Sequence, residues 1–482
     1  MYDLIVIGDD LSSHVAAAVA ARYGLSTALI AESGLGDTFI IGNFVFNIDP
    51  TPITGMGTNQ TLLSLLAELD IPPIEREVLL LDPAYQVILP EHRVDFFRDE
   101  ESLVKEMIRE FPQLEIEINK FYDSVVKYSA VFSQWLRNHP FVQIQNIKDF
   151  GDYLKIMPSL IGYKLKTKKF KRILFTNPSF QKVWEAQHAL LSVNIDNQYS
   201  FSSSFLYSAP LRGIFSFSQW KQIIFNSLIR KIESSGGVYL SQCKISAIGK
   251  GKLISVDVTN KDGVTSIISA KKMIVSSKWN GMPLLTGPKK KINIVDWFRP
   301  VKIAYYPFTL HLGVIKKCFP EKTARHIAVV SDVNRDIYDD NLIILQLSIP
   351  QQYDETPTDK IPMTATVFLP DDDEIWTRDS LKAQSESIID RLEFFLPFLK
   401  ENIELFDIDK SIDISNECRQ IVNPKYQLRN SFFSGFAAKN NKTRFKNTYL
   451  SGASLLLDAG FEGEIISGIN AASKVLTVEK QA

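Results

Sequence analysis

The chain has 482 residues, 45% of them hydrophobic and 23% charged. That length is enough for roughly two or three domains, each with a core of its own. Fifty-four basic residues against fifty-five acidic ones leave a formal charge of −1, which excludes a global field for nucleic acid and leaves only local basic patches.

Three cysteines, Cys243, Cys318 and Cys418, stand far apart. They lack the paired spacing of a zinc site or a disulfide framework, so no metal site is expected and a reducing compartment is. The chain opens directly into a strand-like run, without a signal-peptide pattern, and no apolar run approaches the roughly 20 residues needed to span a bilayer. A cytoplasmic location is the expectation.

"YDLIVIG" at 2 to 8 has the branched, apolar character of a strand buried on both faces. "SSHVAAAVAARYG" follows with helical composition, Ser12 or Ser13 as a candidate N-cap and Gly24 as a stop. "STALIAE" at 26 to 32 is a second strand ending on Glu32, which makes a βαβ unit with parallel strands. "YQVILPEHRVDFF" alternates like two antiparallel strands around a turn. Residues 100 to 200 carry apolar side chains at threes and fours and are predicted largely helical. A helix at 217 to 237 closes on glycines, strands return through "VYLSQCKISAIGKGKLISVDVT", and more strands are expected between about 300 and 370. A helix near 379 to 397 precedes the final strand, "NTYLSGA", and a last helix, "EIISGINAASKVLTVE".

The turn "VIGDDLSSH" lies where a dinucleotide-binding unit has its phosphate cradle. Such a cradle wants glycine for the tight turn, for backbone approach to the pyrophosphate and for helix–strand packing. Gly8 fills the first position, whereas Asp10 and Ser13 stand at the second and third. The free N–H groups and positive dipole of the helix start would accept a phosphate, or equally the carboxylate of Asp9 or Asp10 as a built-in anion. Glu32, 24 residues beyond Gly8, lies near where an acid would hold ribose hydroxyls.

Four further blocks follow in order: "NFVFNIDPTPITG", "LDPAYQVILPEHRVDFFRDEESLVKEMIREFPQLEIEINKFYDSV", "APLRGIFSFSQWKQIIFNSLIRKIESSGGVYLSQCKISAI" and "TYLSGASLLLDAGFEGEIISGINAA". Together with the opening unit they resemble the phytoene desaturase and retinol saturase branch of FAD-dependent amine-oxidase-like flavoproteins. The resemblance implies an α/β fold in which a Rossmann-like FAD-binding domain (1–72, 205–290 and 430–482) carries a substrate domain of antiparallel sheet and helices (73–204 and 291–429). It places FAD pyrophosphate near Gly8, Leu11 and Ser12, ribose at Glu32, adenine at the backbone of Ile245, and the ribityl side at Gly452 and Ala453. Gly463, Glu464 and Ile465 would begin the helix whose dipole faces the flavin pyrimidine. The pattern departs at "ESGLGDTF", which has Gly34, Gly36 and Asp37 but no arginine, and at "FNIDP", which has Asn47 and Asp49 where aspartate and glycine are usual. The activity implied is an FAD-dependent desaturase, saturase or isomerase acting on an apolar, polyisoprenoid-type substrate. The alternative is a non-catalytic protein that kept the fold and lost flavin, comparable to GDP dissociation inhibitors, with an apolar or prenyl-type ligand.

His311 in "FTLHLGV" reads as a packed histidine, because nothing near it in sequence completes an acid–base pair. "YKLKTKKFKR" at 163 to 172 reads as a solvated helical face, the alternative being a patch for anionic lipid headgroups.

Overall fold

The computed structural model describes residues 1–33, 38–72, 74, 78–138, 147–196, 201–217, 219–281, 284–285, 301–348, 359–419, 422–428, 441–443, 445–456 and 459–479. Gly34, Gly36 and Asp37 lie outside these. The opening strand (Tyr2–Ile7), first helix (Leu11–Arg22) and second strand (Thr27–Ile30) form the βαβ unit that the branched and alanine-rich runs predict. Leu4 through Ile7 have no solvent exposure, as a strand covered on both faces requires.

The opening strand is central to its sheet. It pairs in parallel with Thr27–Ile30 on one side and Thr265–Ser276 on the other. Val238–Leu240 extends the sheet beyond the second strand, and Thr448–Ser451 runs parallel to the far end of Thr265–Ser276, with Ser276 opposite Ser451. The antiparallel strands Lys244–Lys250 and Ile254–Thr259 complete it. The register carries Ser276 to the mouth of the first turn.

The last helix (Gly460–Glu479) packs against the first, and here glycine has a structural role. A methyl group on Gly468 would collide with Ser12 O and approach Val15. The helix begins four residues before the predicted "EIISG" start, since Gly460, at φ 55°, turns the chain into it. The predicted helix over 217 to 237 is shorter, Trp220–Ser234, because Gln219 stands in the left-handed region at φ 53°.

The second sheet runs Ile403–Phe406, Val301–Ile315, Lys360–Pro370, Leu342–Leu347, His326–Val330, Tyr85–Ile88, Arg93–Phe96, with Lys425–Leu428 also on Val301–Ile315. The expected hairpin is present, Tyr85 facing Phe96. One pair, His326–Val330 with Tyr85–Ile88, is parallel rather than antiparallel. Its partners come from distant chain segments, so no tight turn dictates their sense. The helices Glu115–Asn138, Ile147–Ile173 and Pro178–Leu191 come from the stretch read as helical.

Candidate functional site

The first turn is closed by its own side chains. Asp10, 2% exposed, is the N-cap of the first helix. Its Oδ1 accepts from Ser13 N at 2.9 Å and Ser12 Oγ at 3.0 Å. Its Oδ2 accepts from Ser276 Oγ at 2.6 Å. The next free donor, Leu11 N, is taken from the opposite end of the chain by Glu464 Oε1 at 3.1 Å. Asp9 turns the other way, accepting from Ser33 N and Oγ at 3.0 and 3.1 Å. A Cβ on Gly8 would collide with Ser13 Oγ and Ser276 Cβ, so the cradle glycine is hemmed in by protein.

The position that the resemblance assigns to adenosine is occupied in the same manner. Glu32 Oε1 accepts from Ile245 N at 2.9 Å, and Oε2 from Trp279 Nε1 at 2.6 Å. The backbone amide expected to face adenine is therefore bonded to the acid expected to face ribose. At the third corner Gly452 N donates to Ser467 Oγ at 3.0 Å, and Ser454 Oγ donates to Ser277 Oγ at 2.7 Å. Ala453 and Ile465 are buried. Gly463 packs against Leu456, where a Cβ would lie 2.6 Å from its carbonyl. Leu11, Ser12 and Glu464 thus meet at the start of the first helix, whereas Glu32 with Ile245 and Gly452 with Ser467 make separate contacts of their own.

Behind Glu464 lies a cavity of about 40 Å³, room for roughly three waters at 10–15 Å³ each. Its charged lining is Lys221, Lys278, Lys425, Asp49 and Glu464. Lys278 Nζ donates to Asn423 Oδ1 at 3.1 Å, and Asn423 Nδ2 donates to Glu464 Oε2 at 2.9 Å. Lys221 Nζ is 3.8 Å from Asp49. Lys425 Nζ donates to Ala189 O and Ser192 O at 2.5 and 2.6 Å. Burial pushes the Lys425 ammonium down to about 7, against a weaker pull from Asp49. Burial alone would raise Asp10, but Lys278 and the bonds from Ser13 and Ser276 hold it below the usual carboxylate range. Glu464 is raised by burial and then by Asp10, beyond what Lys278 and Asn423 restore.

Sequence reasoning missed Lys221, Lys278, Lys425, Trp279 and Ser276. None belongs to a spacing motif, and each reaches the site only through sheet register or domain packing. A further missed pair supports the last helix: Arg212 Nη1 donates to Glu462 at 2.6 Å, while Thr61 Oγ1 donates to its other oxygen at 2.6 Å. His311 is buried against Phe46, with Nδ1 3.4 Å from Ser411 Oγ, and burial lowers it to about 4. It makes no carboxylate pair among the described residues, in keeping with a packed histidine.

No protein-family profile matches the sequence, and no curated protein matches it. Solved structures do resemble its fold. An oxidoreductase from Methanosarcina mazei superposes with a TM-score of 0.60 at 12% identity, covering 99% of this chain and 100% of that one. A triple mutant of putrescine oxidase from a redesign of cofactor binding gives 0.60 at 13%, covering 99% of both. A Rab GDI from Plasmodium falciparum gives 0.56 at 12%, covering 99% of this chain and 98% of that one. The chain has the mixed α/β architecture of these oxidoreductase and GDI structures.

Proposed function

We propose that this chain is a non-catalytic binding protein that uses the flavoprotein architecture without a flavin. The observation that carries this reading is the pair of carboxylates, Asp10 and Glu464, bonded to the start of the first helix where a diphosphate would have to lie. Two like charges about 4 Å apart repel by about 4 kcal/mol at an effective dielectric constant of about 20. The attraction of a helix terminus for an anion, about 0.3–2 kcal/mol, does not offset that. Lys278 is engaged with Asn423 and already offsets Asp10. The residues present therefore do not fit FAD at its pyrophosphate end. The adenosine end fits no better, because Glu32, Ile245 and Trp279 satisfy one another.

The comparison with GDIs is one of architecture. The cavity of about 40 Å³ sets Lys221, Lys278, Lys425, Asp49 and Glu464 among apolar neighbours such as Leu190, Trp220, Phe368 and Phe461, a lining that suits a ligand with both polar and apolar parts. The competing reading is an FAD-dependent desaturase, saturase or isomerase, favoured by the place of Glu32 at the end of the second strand. Native purification separates the two. The protein should be colourless, release no flavin on denaturation and take up none when FAD is added. Stoichiometric flavin, bound or acquired, would overturn the binding-protein reading.

A further inference from the structure

The helix Ile147–Ile173 carries apolar residues on two opposite faces. One face is accounted for. Ile156, Tyr163, Thr167 and Phe170 are buried, with Tyr163 edge-on to Tyr128 at 5.2 Å and Phe170 edge-on to Phe121 at 5.3 Å. The other face is exposed. Leu154, Met157, Ile161 and Leu165 are 55%, 39%, 53% and 65% exposed.

Single exposed apolar residues are ordinary. These four are spaced by three, four and four residues, which at 3.6 residues per turn puts them in one stripe, roughly 16 Å long, opposite the buried face. Beyond Leu165 the same side turns cationic, with Lys168, Lys169 and Arg172 exposed. From Leu154 to Ile173 the sequence holds six lysines, one arginine and no acid. A symmetric contact with a second copy would press two such cationic segments into one interface. A negatively charged lipid surface complements both parts, offering phosphates to the cations and an apolar layer just beneath to the stripe. Among the described residues no helix is long and apolar enough to cross a membrane, so this contact would lie along the surface.

We propose that the helix Ile147–Ile173 docks the protein on anionic lipid, with Leu154, Met157, Ile161 and Leu165 immersed at headgroup depth and Lys168, Lys169 and Arg172 against phosphates. The test is co-sedimentation of the full chain with vesicles of phosphatidylcholine, with and without phosphatidylserine. Binding is expected to the anionic vesicles and to weaken with salt, since exposed charges are screened over about 10 Å at 0.1 M. Lys168→Glu with Lys169→Glu should weaken it at least roughly 25-fold, about fivefold for each charge removed. Ile161→Glu with Leu165→Glu should abolish it. Both pairs are exposed, so thermal midpoints should not move. Equal binding to neutral vesicles, binding to neither, or wild-type affinity in either variant overturns the proposal. So does a dimer in sedimentation equilibrium that Ile161→Glu with Leu165→Glu dissociates, which would make the stripe a contact between copies. Free inorganic phosphate competing as well as vesicles would equally reject a lipid surface. These readouts do not depend on flavin content.

Discussion

The start of the first helix and the start of the last meet at one hydrogen bond, Leu11 N to Glu464 Oε1, yet they depart from the flavoprotein pattern to different degrees. The first has lost two of three cradle glycines, whereas the last keeps Gly463, Glu464 and Ile465. Their contributions to closing the site do not follow that ranking. The end that keeps the pattern supplies Glu464, which takes the donor that Asp10 leaves. Its Gly468 fits the backbone of the first helix so closely that packing alone explains it. A motif letter thus has two physical uses, room for a ligand or room for protein, and spacing does not distinguish them.

The strongest way to break this comparison is at the helix contact. Gly468→Ala should cost about 3 kcal/mol in denaturant unfolding, because backbone and Val15 must both yield. A neutral result would remove packing as the reason for that glycine. Asp10→Ala should cost about 2 kcal/mol by the same measurement, losing a cap and stranding Ser276. Asp10→Gly alone should leave FAD uptake nil in equilibrium dialysis, since Glu464 and the Glu32–Trp279 contact remain. Flavin uptake by that single variant would show that one charge, not the whole network, closes the site.

Lys425 sharpens the contrast through pH. Its folded pKa, about 7, lies below the unfolded value of about 10.4, so between them the unfolded chain binds more protons. Stability should therefore rise with pH, by roughly 1 kcal/mol from pH 7 to pH 8, and Lys425→Met should flatten that slope in denaturant titrations at stepped pH. The smallest effect is expected at the adenosine end, where Trp279→Phe should cost under about 1 kcal/mol, because Glu32 keeps the Ile245 amide and is part-buried. A larger loss would make that end the main closure.

Much of the fold was legible locally. The βαβ unit over 2 to 30, the hairpin of Tyr85 with Phe96 and the helix Arg378–Phe395 follow from periodicity and stop residues. Errors fell where a backbone angle or a distant partner decided: Gln219 shortened one helix, Gly460 lengthened another, and the parallel pair of Tyr85–Ile88 joined segments far apart in the chain. The candidate site was legible as a place rather than as a chemistry. Gly8, Glu32, Ile245, Gly452 and Glu464 could be grouped by resemblance, but Lys278 and Trp279 carry no sequence signal that separates them from surface residues.

By itself the sequence determined the layered α/β frame, because alternation and helical spacing act over a few residues through sterics and burial. Only the tertiary structure decided what fills the frame's mouth. Leu11 and Glu464 stand 453 positions apart, and whether a helix start faces a ligand or a carboxylate of its own chain depends on which side chains folding brings within hydrogen-bonding distance.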